Sequence, residues 1–78
     1  MQLVTFIAHI EEEFDDLPKG LIVGETAFRQ LEGWNSMMAL ILIARIDSEY
    51  NVNLSAEELA EAVSINDLFD LVKARVTV

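Results

Sequence analysis

Few residues of this chain have the types that chemistry needs. There is one histidine, His9, no cysteine, and serine at positions 36, 48, 55 and 64. Catalysis of hydrolysis or group transfer asks for a nucleophile with a base beside it, paired carboxylates in a cleft, or a metal held by clustered ligands. His9 has no second histidine or cysteine to share a metal with. No HExxH and no GxxxxGK[ST] occurs, and the carboxylates read as surface charge. The chain is therefore not expected to be an enzyme, and neither a catalytic residue nor a metal site is expected. His9 falls off the apolar stripe of its segment and reads as an ordinary exposed histidine.

The serines say more. Ser55 stands three residues before Glu58, and Ser64 three before Asp67; both are capping-box spacings that employ the hydroxyl at a helix start. Ser48 lies inside a helical stretch near its end and reads as solvent-facing. Ser36 is left over. In Gly33-Trp34-Asn35-Ser36-Met37-Met38 it sits where a loop turns into a long apolar helix. If Asn35 supplies the cap, the Ser36 hydroxyl projects from the first turn beside unbonded amides and the positive end of the helix dipole, a good place to carry a phosphate. The alternative is that Ser36 is itself the cap and nothing more.

Periodicity supplies the elements that must position it. Leu3, Phe6, Ile7, Ile10 and Phe14 recur at helical spacing and predict a first helix over 3–14, with Glu11, Glu12 and Glu13 as a solvated face. Residues 15–35 hold the one proline and all three glycines, which predicts a long connection rather than a helix. Leu17, Leu21, Ile22, Val23, Phe28 and Leu31 are expected to pin it to the core. A connection this long in a small domain often serves function. A second helix is predicted over 36–50, facing the core with Ala39, Leu42, Ile43, Ile46 and Tyr50. A short third helix begins after Ser55, with Leu59, Ala60 and Val63 as its apolar face. A fourth begins after Ser64, with the stripe Ile65, Leu68, Phe69 and Val72. The expected fold is all-α: a small four-helix bundle of three main helices and one short one, with a long first loop, residues 1–78 forming a single domain.

Composition narrows the setting. Fourteen acidic residues against five basic ones give a net charge of −9, which repels nucleic acid and anionic lipid and attracts partners with basic patches. With 53% hydrophobic residues the chain is too apolar to be a disordered acidic tail. The N-terminus lacks the basic start of a secretory signal, no apolar run reaches membrane-spanning length, and cysteine is absent. A soluble, cytoplasmic monomer that binds neither nucleic acid nor membrane is expected.

Phe28 through Val72 carries a larger pattern. Gly33-Trp34-Asn35-Ser36-Met37 is followed by Leu40-x-Leu42-Ile43-x-x-Ile46-Asp47-x-Glu49-Tyr50, then Leu54-Ser55-x-x-Glu58, then Ser64-Ile65-x-Asp67-Leu68. This register resembles the acyl carrier proteins, and the first helix and loop fit them in length. In that family a serine in an Asp-Ser-Leu motif opens the second helix, and a phosphopantetheinyl transferase esterifies it with 4'-phosphopantetheine from coenzyme A. Ser36 is the matching position. The resemblance implies a covalent arm whose thiol holds acyl groups as thioesters for delivery to acyl-loading and acyl-using synthases or transferases. Catalysis then lies with those partners.

Two departures from the family pattern bear on function. Asn35 replaces the aspartate before the serine, which keeps a cap but loses a charge that a basic transferase would meet. Met37 replaces the leucine after it. Carriers of fatty acid synthesis place acidic residues where Met38 and Ile41 stand, so the outward face of the second helix, read as Met37, Met38, Leu40, Ile41 and Ala44, is expected to dock partners by apolar contact. Trp34 reads as a loop anchor or as a further partner contact. Together these features suggest a carrier for a dedicated pathway, such as a secondary metabolite, a surface polysaccharide or a modified fatty acid, rather than bulk fatty acid synthesis. A peptidyl or aminoacyl carrier is the alternative within the class. An unmodified helical adaptor docking through the same face is the alternative outside it.

Overall fold

The computed structural model describes residues 1–76 and is built from four α-helices: α1 (Leu3–Glu11), α2 (Ser36–Tyr50), α3 (Ala56–Glu61) and α4 (Ile65–Arg75). A 3-10 turn over Phe28–Gln30 interrupts the long connection between α1 and α2. No strand occurs among the described residues. The expected all-helical bundle, three longer helices and one short, is the fold observed. α1 packs on α2 and α4, and α2 packs on α3.

α2 begins and ends where its sequence predicts. Inside it nothing breaks the helix, and Asn51 closes it in a left-handed conformation at φ 56°, its N–H donating to the Asp47 carbonyl. Asparagine tolerates that conformation better than most residues. Both capping boxes form: Ser55 accepts from the Glu58 N–H while Glu58 accepts from the Ser55 N–H, and Ser64 and Asp67 repeat the exchange. These N–H donors hold the Asp67 carboxyl below its ordinary range, Ser64 contributing most and Val63 next.

The core is one continuous cluster. Phe6, Ile10 and Phe14 from the α1 segment, Leu42 and Ile46 from α2, Leu59 from α3, and Ile65, Leu68 and Val72 from α4 are buried, with Ile22 and Phe28 contributed by the loop. The α1 stripe thus lies where expected, but the helix itself stops at Glu11. Phe14 reaches the core from a turn whose N–H bonds to the Glu11 carbonyl at 3.0 Å. The periodicity persisted past the helix end because a turn and a helix both return a side chain to the same face.

The loop is held at fewer points than its composition predicts. Ile22 and Phe28 are buried and Leu17 and Leu31 are half-buried, whereas Leu21 and Val23 are 50% and 46% exposed. Backbone bonds supply the rest of the anchoring. The Ile65 N–H donates to the Thr26 carbonyl at 3.0 Å and the Asn66 N–H to the Gly24 carbonyl at 2.8 Å, so the loop satisfies the first amides of α4. The approach is close: a Cβ on Gly24 would sit 2.4 Å from Asn66 Oδ1. In α3 the predicted apolar face is also corrected. Leu59 and Ala62 are buried, but Ala60 and Val63 are exposed, because the helix ends at Glu61 and the chain turns Ala62 inward.

Candidate functional site: the N-terminus of α2

The approach to α2 is set by a turn and two aromatic contacts. Gly33 holds φ +91°, a conformation that strains any residue with a side chain, although nothing fills the space around it. The chain then seats Trp34, half-buried, stacked on Phe14 at 6.4 Å and edge-on to Phe28 at 5.5 Å. Trp34 is therefore a loop anchor.

Asn35 settles the question of the cap. Its backbone is extended and its Oδ1 accepts from the Met38 N–H at 2.9 Å, while its carbonyl accepts from the Ala39 N–H at 3.1 Å. Ser36 is the first helical residue, and it is exposed. Its hydroxyl is released from capping and points from the helix end where unbonded amides favour an anionic group. Beside it opens a cleft of about 320 Å³ lined by Arg29, Trp34, Asn35, Ser36, Ala39, Ala56, Leu59 and Ala60. The Ser36 hydroxyl is thus open to solvent and flanked by a cleft with room for a substituent.

The family model described as "phosphopantetheine attachment site" matches residues 16–72. This chain belongs to that family. No curated protein and no solved structure matches it significantly. Membership makes the chain a carrier rather than a catalyst, with 4'-phosphopantetheine as its covalent group. Carrier domains of this kind meet a phosphopantetheinyl transferase and synthases in general. Among the described residues no helix is long and apolar enough to cross a membrane, and no cluster of three or more His, Asp or Glu could hold a metal ion.

The outward face of α2 differs in part from the expected one. Met37 and Leu40 are 64% and 60% exposed, and Ala44 is exposed. Ile41 is half-buried, and Met38 is half-buried against the core, so Met38 does not belong to a fully outward patch. It stands one helical turn before the fully buried Leu42, so the two side chains lie over the same face.

The opposite end of α2 corrects two further expectations. Glu11, Glu12 and Glu13 are not merely a solvated face. Arg45, four-fifths buried at its side chain, donates to Glu12 and Glu13 at 2.6 Å each and to Glu49 at 3.0 Å, while Glu11 accepts from the Gly20 N–H. The guanidinium lowers the Glu12 carboxyl below its ordinary range, and these carboxylates in turn raise the already high pKa of Arg45. His9 is half-buried rather than exposed, hydrogen-bonded through Nδ1 to Tyr50 Oη at 3.0 Å and 3.7 Å from the Glu49 carboxylate. Burial raises the Tyr50 hydroxyl above its ordinary range, with Glu49 adding to the effect.

Arg29 is a member of the cleft that sequence reasoning missed. Its one signal was being the sole basic residue between Lys19 and Arg45. Nothing local announced that a loop residue would reach the side of α2.

Proposed function

We propose that residues 1–78 form one acyl carrier domain and that Ser36 bears its 4'-phosphopantetheine. The observation that carries this reading is the Ser36 hydroxyl, solvent-exposed on the first turn of α2 while Asn35 takes the capping bond, within the span matched by the family model. In the transferase, the Ser36 hydroxyl would give up its proton and attack the coenzyme A phosphorus that bears pantetheine. A P–O bond forms, the pyrophosphate P–O bond breaks, and adenosine 3',5'-bisphosphate leaves. Once attached, the arm offers a thiol that holds cargo as a thioester. Asn35 keeps Ser36 in register as cap, and the cleft beside it offers shelter for the arm.

Acyl rather than aminoacyl cargo is supported by the lining of that cleft, where Trp34, Ala39, Ala56, Leu59 and Ala60 present apolar surface. The reading extends to partners: Met37 and Ile41, with the neighbouring Leu40 and the half-buried Met38, offer synthases an apolar contact next to Ser36, and Trp34 fixes the loop that frames it. Acidic residues at the positions of Met38 and Ile41 would suit basic partners of fatty acid synthesis. Their absence supports a dedicated pathway.

Incubation with coenzyme A and a broad-specificity phosphopantetheinyl transferase tests the assignment by intact mass. The expected result is a gain of one phosphopantetheine, lost in Ser36→Ala with an unchanged melting temperature. Modification of Ser36→Ala, or no modification of the wild type by several transferases, would overturn it. Loading the modified protein with butyryl and with glycyl groups then compares cargo classes. Amide shifts at Ala39, Leu59 and Ala60 are expected with the former alone.

A further inference from the structure

The charge distribution around the cleft contains an anomaly. In a chain with fourteen carboxylates, two of the three arginines are matched to them: Arg45 to Glu12, Glu13 and Glu49, and Arg75 to Glu58. Lys73 lies over the Phe69 ring at 5.7 Å. Arg29 takes part in no ion pair among the described residues, and the cleft that it helps to line, at an exposed position, has no acidic residue in its lining.

Arg29 is nevertheless firmly placed. It rides on the 3-10 turn whose first residue, Phe28, is fully buried, so the backbone beneath it is fixed. Its Nε donates to the Ala62 carbonyl at 3.2 Å, bridging the loop to the end of α3. That bond uses one of five guanidinium N–H donors and leaves the terminal pair, whose fork geometry suits two oxygens of one anion. The same cleft is lined by Ser36.

Building on the assignment of the arm to Ser36, we infer that Arg29 is a positioning residue for that arm, pairing through its terminal N–H groups with the non-bridging oxygens of the Ser36 phosphodiester. A phosphodiester carries one negative charge at all working pH values, and an arginine–phosphate pair is charge-assisted and bidentate. In a protein of net charge −9 such an anion would otherwise be repelled by the surface around it. Arg29 removes that penalty at the root of the arm and biases the arm toward the apolar cleft. The remaining surface stays free for partners.

The test compares apo and holo protein by NMR after intact mass has confirmed modification at Ser36. The Arg29 Nε–Hε resonance should shift on modification, and the shift should shrink as salt is raised. The phosphorus resonance of the holo protein should move in Arg29→Gln and return most of the way in Arg29→Lys, which keeps the charge without the fork. The melting temperature of the variants checks that the fold is intact, and the Nε–Hε comparison in the wild type needs no variant. Modification at Ser36 with an unmoved Nε–Hε resonance and the same phosphorus resonance in Arg29→Gln would overturn the role of Arg29 and leave Ser36 standing. Absence of modification would overturn both. A third arm loads succinyl and butyryl groups: an Nε–Hε shift seen with the succinyl carboxylate alone would show that the anion belongs to the cargo and overturn the phosphodiester assignment.

Discussion

α2 has two ends built on opposite principles. At its C-terminal end Arg45 is tied to glutamates from the α1 segment and from its own helix, His9 bonds Tyr50, and Asn51 closes the last turn. At its N-terminal end the side-chain hydrogen bond among the described residues is the one from the Met38 N–H to Asn35, and Met37 and Leu40 lie exposed beside Ser36. One end is secured to the bundle, and the other is presented to solvent. A helix anchored at one end can hold a hydroxyl at a fixed place without covering it, which is what the proposed attachment of the arm to Ser36 requires.

The contrast can be broken most severely in the core beneath the anchored end. Ile46 is 1% exposed, and Ile46→Ala is expected to cost about 2–5 kcal/mol, read as a lower urea midpoint with the slope retained. Next comes the anchor. Arg45→Met should lower the melting temperature by about 5 °C, equivalent to ~1 kcal/mol in a domain of this size, and the deficit should narrow in high salt. Modification at Ser36 should proceed normally in that variant. A slowed modification would show that the two ends are coupled rather than separate.

At the open end, Asn35→Ala should cost about 1 kcal/mol by the cap alone, and the Ser36 hydroxyl, drawn into the vacated capping role, should be modified more slowly. Asn35→Asp keeps the cap and adds a charge at the positive end of the helix, raising stability by roughly 0.3–1 kcal/mol. Its modification should be at least as fast as that of the wild type.

Acid tests the anchored end alone. The folded protein holds the Glu12 carboxyl below its ordinary value of 4.5 through Arg45, so this contribution is present above about pH 4.5 and is lost as pH falls through the lowered value. Asp67 behaves with the same sign below its ordinary 3.8, independently of Arg45. Stability of the wild type should therefore decline more between pH 5 and 3 than that of Arg45→Met, in which only the Asp67 part survives, as acid-dependent urea midpoints would show. The smallest effect is expected at Met37→Ala, within about 0.5 kcal/mol in stability. Its consequence should appear in transfer by a partner enzyme instead.

Local signals were readable in the sequence, and distant pairings were not. The capping boxes at Ser55 and Ser64 involve residues three apart, and the limits of α2 follow from an uninterrupted run between Asn35 and Asn51. That Ser36 would be exposed and free of capping was legible because its neighbour Asn35 could take the cap. The pairings of Arg45 with Glu12 and Glu13 span 33 and 32 residues, and that of His9 with Tyr50 spans 41, so no window of sequence contains both partners. Met38 reads on the outward face, although it stands one helical turn before the buried Leu42 and so leans over the same side of α2. Arg29 was hidden for the same reason as the distant pairings: most of its neighbours in the cleft come from α2 and α3, with only Trp34 and Asn35 from its own loop.

The bonds from α4 to the loop give the molecule a built-in reporter. The first amides of a helix have no partner within it and commonly exchange their hydrogens freely. Those of Ile65 and Asn66 are instead covered by the carbonyls of Thr26 and Gly24. Their exchange with deuterated solvent therefore reports the fraction of time for which the loop is lifted from α4. Because the same loop continues into the turn at Phe28 and on to the approach to Ser36, slow exchange at two amides near the far end of the chain is a gauge of how rarely the platform beneath the serine comes apart.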